Sequence, residues 1–216
     1  MSKVRILIAD DHELIRRGLV SALADRPEWS VVAEAADGRQ ACELAVRFAP
    51  EIAVLDLTMP HLNGLEATRQ IRTAMPKIRI LIVTAHESEQ LIREVLDAGA
   101  MGYVLKSDAG RALVQAIEAL LDNRPFFTSK IARVVLEGYL RPGVDTIGRA
   151  VVALSPRERQ IVQLLAEGNN NKGVARILRL SVKTVETHRS NIMRKMEFGS
   201  LADLVRYAIR NKLVEA

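Results

Sequence analysis

The chain has 216 residues, 49% of them apolar, enough for one large or two small domains with cores of their own. Its formal net charge of +5 is unevenly spread, at −3 over residues 1–121, +2 over 122–150 and +6 over 151–216, which points to two domains with different partners and to nucleic acid for the second. One cysteine, Cys42, excludes an internal disulfide, no signal-peptide pattern opens the chain, and no apolar run is long enough to cross a membrane, so a cytoplasmic protein is expected.

Taken in order, the first half alternates between two patterns. Continuous apolar runs fall at residues 4–9, 30–35, 52–55, 79–84 and 102–105. Runs of that length read as parallel strands covered on both faces. Between them lie amphipathic segments, marked by Leu14, Ile15, Leu19, Ala22 and Leu23, by Leu91, Ile92, Val95 and Leu96, and by Leu113, Ala116, Ile117, Leu120 and Leu121. Each set shares one helical face. Cys42 sits in such a pattern, with Ala41, Leu44, Ala45 and Phe48, and reads as a packed thiol. The repeat predicts an α/β fold, a doubly wound five-stranded parallel sheet with helices on both sides.

After Leu121 the pattern changes. Pro125 breaks the helix, "TSKIARVVLEGYL" predicts another over 128–140 opened by Thr128, and "RPGVDTIGRA" reads as a linker. The expected organisation is a first domain over 1–121, a linking segment over 122–153 and a second domain over 154–216. In the last, Ser155, Pro156 and Glu158 form a capping-box signature. Asn170 or Asn171 opens the next helix, Ser181 a third and Ser200 with Asp203 a fourth, giving a small all-α, four-helix domain.

Ligands of open α/β sheets sit outside the carboxyl ends of the strands. There this sequence places Asp10 and Asp11, Asp56, Thr84 and Lys106. Clustered carboxylates repel one another, and a hard divalent cation relieves that repulsion. Lys106 adds positive charge and the Thr84 hydroxyl can donate to an anion. The set suits Mg²⁺ beside a phosphoryl group, with Asp56 the carboxylate best placed to attack phosphorus.

These residues, within "VLDLTMPHLNG", "VTAH" and "GYVLK", make residues 3–121 resemble a response-regulator receiver domain of flavodoxin-like fold. The resemblance implies that Asp56 is the phosphoacceptor. It implies Mg²⁺ on Asp11, Asp56 and the Thr58 backbone carbonyl, with Asp10 acting through water. Lys106 and Thr84 would contact the phosphoryl group, and Tyr103 would be the switch aromatic that turns inward when Thr84 is engaged. Ser107 departs from the family, which often carries proline after the lysine.

In "LSVKTVETHRSNIMRKM", Thr184, Val185, His188, Ile192, Lys195 and Met196 share one helical side, and Lys183, Glu186, Thr187, Ser190 and Arg194 the other. A short joint, residues 179–182, links this helix to the one carrying Val174, Ala175 and Leu178, which is helix-turn-helix spacing. The four histidines show no metal-ligand spacing in the sequence. Residues 154–211 resemble the LuxR-type helix-turn-helix domain. By that likeness Lys183, Glu186, Thr187 and Ser190 approach bases of double-stranded DNA, and Lys172, Arg189 and Arg194 its phosphates. In that family the last helix forms the dimer contact on DNA, which makes Leu204, Val205 and Ala208 the candidates for it here. Two departures stand out: Gly173 replaces the usual glutamate, and Arg179 takes a joint position that usually needs glycine for its positive φ.

Together the two resemblances imply a transcriptional regulator of the NarL/FixJ type, not an enzyme. A sensor histidine kinase would phosphorylate it, and it would bind DNA as a homodimer. Two alternatives are a phosphorylation-independent regulator and an aspartate-nucleophile phosphatase. The second lacks, at Thr58, the acid such enzymes carry two residues after the nucleophile.

Overall fold

The structure, a computed structural model, describes residues 3–129, 131–133, 135 and 154–214, which fall into two compact units. The linker expected over 141–150 lies outside the described residues, as does most of the helix expected over 128–140. Ser129, residues 131–133 and Val135 of that helix are helical.

In the first unit, strands β1 (Val4–Ala9), β2 (Trp29–Ala35), β3 (Ile52–Leu55), β4 (Arg79–Thr84) and β5 (Gly102–Leu105) alternate with helices α1 (Glu13–Leu23), α2 (Gly38–Phe48), α3 (Gly64–Ala74), α4 (Glu89–Asp97) and α5 (Ala109–Leu121). A sixth strand, β6 (Phe126–Phe127), pairs with Gly102 and Tyr103, and the sheet order is β2-β1-β3-β4-β5-β6, parallel throughout. The five strands expected are therefore six. The preceding helix ends at Leu121, four residues before Pro125, where Asn123 turns left-handed at φ 58 and its N–H reaches the Leu120 carbonyl, and the two phenylalanines after the proline extend along β5, with the Phe126 N–H on the Met101 carbonyl at 3.1 Å. A two-residue strand is too short to show a periodicity.

Alternation along the strands sorts the core. Ile6, Ile8, Ile52, Val54, Leu81, Val83 and Val104 meet Leu19 and Leu23 of α1 and Leu113, Ile117 and Leu120 of α5. The intervening Leu7, Ala53, Leu55, Ile80 and Ile82 are buried by the opposite face. On that side α2 packs on β1 and β2 and beside α3. Each buried aliphatic side chain contributes about 1.5–3 kcal/mol, so the strand ends rest on a stiff base. The chain order reverses between β1 and β3, which opens a crevice at their carboxyl ends.

The second unit contains α6 (Pro156–Ala166), α7 (Asn171–Leu178), α8 (Val182–Lys195) and α9 (Leu201–Arg210). Ser155 and Glu158 close the expected capping box. The side chains of Asn170, Ser181 and Ser200 accept from the Gly173, Thr184 and Asp203 N–H groups, so three further helices start where the sequence places them. Ile161, Leu164, Val174, Val185, Ile192, Leu204 and Ala208 form the common core. The joint between α7 and α8 is residues 179–181, one shorter than expected because Val182 is already helical. Arg179 closes α7 at φ 53, ψ 47, in the left-handed region, while the Leu180 N–H reaches back to the Ala175 carbonyl at 2.9 Å. A non-glycine residue there costs about 1–2 kcal/mol.

Candidate functional site

The ends of β1, β3 and β5 bring Asp10, Asp56 and Lys106 together. Asp10 is 1% exposed and Asp56 3%. The Lys106 ammonium lies 2.8 Å from a carboxylate oxygen of each. The other Asp56 oxygen accepts the Leu57 N–H at 2.6 Å, and Asp10 accepts the His12 N–H at 2.9 Å. Burial pushes the Asp56 carboxyl above the usual carboxylate range, and the Asp10 charge adds to this, against the hydrogen bonds from Lys106 and Leu57. At Lys106, burial works against the charged form. The hydrogen bonds to Asp10 and Asp56 outweigh it and hold the ammonium above its ordinary value. The pair is thus a well-held lysine beside a strained carboxylate.

Asp11, more exposed, stands at the rim with its Oδ1 2.8 Å from Nδ1 of His12. The ligand atoms of Asp10, Asp11, His12 and Asp56 all lie within 4.8 Å of one another. Three carboxylates against one ammonium leave an excess of hard oxygen donors, the chemistry that Mg²⁺ takes. Sequence spacing alone left His12 out of this group. Its position next to Asp11, at the end of the same strand, was the available signal.

Thr58 and Thr84 are buried. His86 ties their loops: its Nε2 lies 2.7 Å from the Thr58 hydroxyl, and its N–H is 3.4 Å from Thr84 Oγ1. Tyr103 is fully buried and turned inward, and its hydroxyl donates to the His86 carbonyl at 2.8 Å. Burial, with the Asp56 charge, raises the Tyr103 phenol further above its ordinary value, which keeps it a donor. Cys42 is outside this group; burial pushes its thiol up to about 12, the mark of a packed rather than a reactive cysteine.

Gly64, the first residue of α3, presses on the site from below. A Cβ added there would lie 1.9 Å from the Asp56 carbonyl oxygen and 2.9 Å from Leu57 Cα, so only glycine allows the helix to start against the Asp56 peptide.

In the second unit Lys183, Glu186, Thr187, Ser190 and Arg194 are exposed along one side of α8. Val185 and Ile192 are buried on the other, as the spacing requires. Lys172 is exposed near the start of α7 and Arg189 is half-buried. Lys172, Glu186 and Arg189 line one groove together with Asn169, Asn170 and Asn171. The three residues expected to meet a second copy are divided. Leu204 and Ala208 are 0% exposed and belong to the unit's own core, because they fall on the inner stripe of α9. Val205 is partly accessible, and Leu201, one turn earlier, is 45% exposed.

Known proteins share both halves. The family described as "Response regulator receiver domain" matches residues 6–118, and "Bacterial regulatory proteins, luxR family" matches residues 152–208. The transcriptional regulatory protein LiaR of Bacillus subtilis is 35% identical over 98% of this chain and 99% of its own. A LuxR-family two-component response regulator from Aurantimonas sp. SI85-9A1 is 42% identical, with TM-score 0.62 over 65% of this chain and 100% of that one. A structure of two RcsB dimers bound to two parallel DNAs is 25% identical, with TM-score 0.58 over 95% of this chain and 98% of that one. A complete acid–lysine cluster at the strand ends, a helix-turn-helix with an exposed polar face, and matches over both units lead to one conclusion: the chain belongs to the DNA-binding response regulators of two-component systems, which join a receiver to a LuxR-type domain and regulate transcription without being enzymes.

Proposed function

We propose that Asp56 accepts a phosphoryl group and that this controls promoter binding by the second unit. The observation that carries the reading is the Lys106 ammonium held 2.8 Å from both Asp10 and Asp56 at the switch of strand order. A carboxylate oxygen of Asp56 bonds to phosphorus as the P–N bond of a kinase phosphohistidine, or the P–O bond of a small acyl phosphate, breaks and its electron pair leaves with the donor. Lys106 then exchanges part of its pairing with Asp56 for a phosphoryl oxygen, and Thr84 donates its hydroxyl proton to another. Asp10, Asp11, Asp56 and the Thr58 carbonyl would hold Mg²⁺, which supplies neutralising charge for the phosphoryl oxygens.

Thr84, His86 and Tyr103 form the relay by which the phosphoryl group biases the face of α4, β5 and α5. Residues 1–121 act as the receiver, 122–153 as the connection and 154–216 as the output domain. On double-stranded DNA, Lys183, Glu186, Thr187 and Ser190 read base edges while Lys172, Arg189 and Arg194 contact phosphates. A homodimer would place two copies of α8 about 34–36 Å apart, with Val205 and Leu201 on the contact side of α9. The protein would work in the cytoplasm, where a sensor histidine kinase meets it; no helix among the described residues is long and apolar enough to cross a membrane.

The test is sequencing of DNA captured by the full chain, with and without an acyl-phosphate donor and Mg²⁺. Wild type should gain occupancy on phosphorylation and Asp56→Asn should not. An Asp56→Asn chain that responds to the donor as wild type does would overturn the reading.

A further inference from the structure

The helix before α8 carries charge that its own fold does not use. Between Gly168 and Val185 the chain has four cations, Lys172, Arg176, Arg179 and Lys183, and no acid. Gly173 stands where the LuxR-type family usually has a glutamate, so α7 lacks that negative charge too. Lys172, Arg176 and Arg179 are exposed, and their spacing of four and then three residues sets them in one row over about 10 Å of α7. Val174 and Ala175, between them in sequence, face the core. Among the described residues, none of the three side chains makes an ion pair or a hydrogen bond. Nor does the end of the helix need them. The Arg157 guanidinium of α6 donates to the Leu178 carbonyl at 3.1 Å, and the Arg179 and Leu180 N–H groups close the last turn. Arg179 keeps its place in a left-handed backbone, φ 53, that glycine would take without strain. Strain of this kind is retained where a residue serves something besides the fold.

We propose that this row is a second track for the backbone of double-stranded DNA, on which Arg176 and Arg179, following Lys172, neutralise successive phosphates of one strand. This rests on the reading of the second unit as DNA-binding and extends it from α8 to α7. Charge complementarity selects the occupant: the row is cationic throughout, and duplex DNA offers one charge per about 3.4 Å of each strand. The row also leads into Lys183 in the first turn of α8, so it is continuous with the face read above as the DNA contact. Guanidinium groups add a planar fork of donors that fits phosphate oxygens. Contacts of this kind carry no sequence information; they fix register and add affinity for every sequence alike.

The experiment measures binding of the full chain to a short fluorescein-labelled duplex of mixed sequence, by anisotropy over a salt series, with acyl-phosphate donor and a fixed Mg²⁺ concentration throughout. The proteins are wild type, Arg176→Gln, Arg179→Gln, Arg179→Lys and Arg179→Gly. Arg17→Gln is the control for net charge, because Arg17 is a 73% exposed cation on α1 of the first unit. Each glutamine variant on α7 should lower the slope of log affinity against log salt by about 0.9 and weaken binding roughly fivefold to tenfold near 0.1 M salt. Arg17→Gln should match wild type, and Arg179→Lys, which keeps the charge, should retain the slope. Arg179→Gly should bind DNA more weakly although α7 and α8 gain amide-exchange protection, a combination that a purely structural arginine would not give. Slopes and affinities for Arg176→Gln and Arg179→Gln that match Arg17→Gln would overturn the proposal, as would Arg179→Gly binding as wild type does. If wild type does not bind the duplex at all, the DNA reading of the second unit falls and the track with it; if it binds and the α7 variants keep its slope, only the track falls.

Discussion

Replacing Gly64 by alanine should damage the acidic site without touching any of its charged groups. The added Cβ would stand 1.9 Å from the Asp56 carbonyl oxygen, 2.8 Å from its carbon and 2.9 Å from Leu57 Cα, all backbone atoms that cannot rotate away. Ordinary contact begins near 3.4 Å, so α3 and the Asp56–Leu57 peptide must separate by more than an ångström. That movement breaks the bond from the Gly64 N–H to the Leu57 carbonyl, now 2.8 Å, and drags the Leu57 N–H from the Asp56 carboxylate. Overpacking costs about 1–3 kcal/mol and the lost hydrogen bond about 1 more, so Gly64→Ala should destabilise the first unit by about 2–4 kcal/mol. Urea unfolding followed by Trp29 fluorescence measures this directly, because Trp29 is the sole tryptophan and is buried in β2. The same protein should accept phosphate from an acyl-phosphate donor more slowly. Gly18→Ala on α1 is the control, since its Cβ would meet nothing within 4 Å; it should stabilise by up to about 1 kcal/mol. An unfolding midpoint for Gly64→Ala equal to wild type, with normal phosphorylation, would refute the reasoning.

Three other substitutions probe separate terms. Lys106→Met leaves the Asp10 and Asp56 carboxylates adjacent and unneutralised. Burial already raises the folded Asp56 value, so the ionised form becomes more costly as pH climbs through it. In chelator, the loss should be about 2–4 kcal/mol at pH 7.5 and should shrink as pH is lowered toward the unfolded carboxylate value, as urea midpoints at pH 5 and 7.5 would report. Glu158→Gln keeps the capping geometry but removes the charge that pairs with Lys195 at 2.7 Å. Burial works against the Glu158 carboxylate, yet the bonds from Lys195 and Ser155 win and hold it below the usual glutamate value. Its stabilisation, under about 1 kcal/mol at this partly exposed position, is present above the unfolded glutamate value and vanishes as pH falls through the folded one. The melting difference between the two proteins at pH 7 should therefore close in acid. Arg179→Gly relieves a left-handed residue at φ 53 and should stabilise the second unit by about 1 kcal/mol, a roughly fivefold rise in amide-exchange protection of α7 and α8; unchanged protection would mean the arginine is not strained there.

Much of this protein is legible in its sequence because its signals are local or follow from a chirality rule. Apolar runs mark the first five strands, capping residues mark the helices of the second unit, and parallel connections force Asp10, Asp56, Thr84 and Lys106 to one edge. The left-handed turn at Arg179 is foreseeable only through the resemblance to the LuxR-type domain, whose joint usually carries glycine at that position. The side of α8 left exposed follows from a period of 3.6.

Tertiary packing decided the rest. Phe126–Phe127 becomes a strand only because β5 offers it an open edge, a backbone interaction with no side-chain pattern. His12 joins the acidic group because α1 starts immediately after β1 and sets its ring beside Asp11. His86 bridges Thr58, Thr84 and Tyr103 from a loop whose path no spacing rule describes. Leu204 and Ala208 lie on the same apolar stripe as a dimer contact would, and only the neighbouring helices show that they are already buried. Sequence alone determined which chemical groups stand at the strand ends and on α8, since alternation and chain direction are properties of the chain. The distances among those groups, and which apolar residues remain free, depend on how separate elements meet, and that is set by three-dimensional packing.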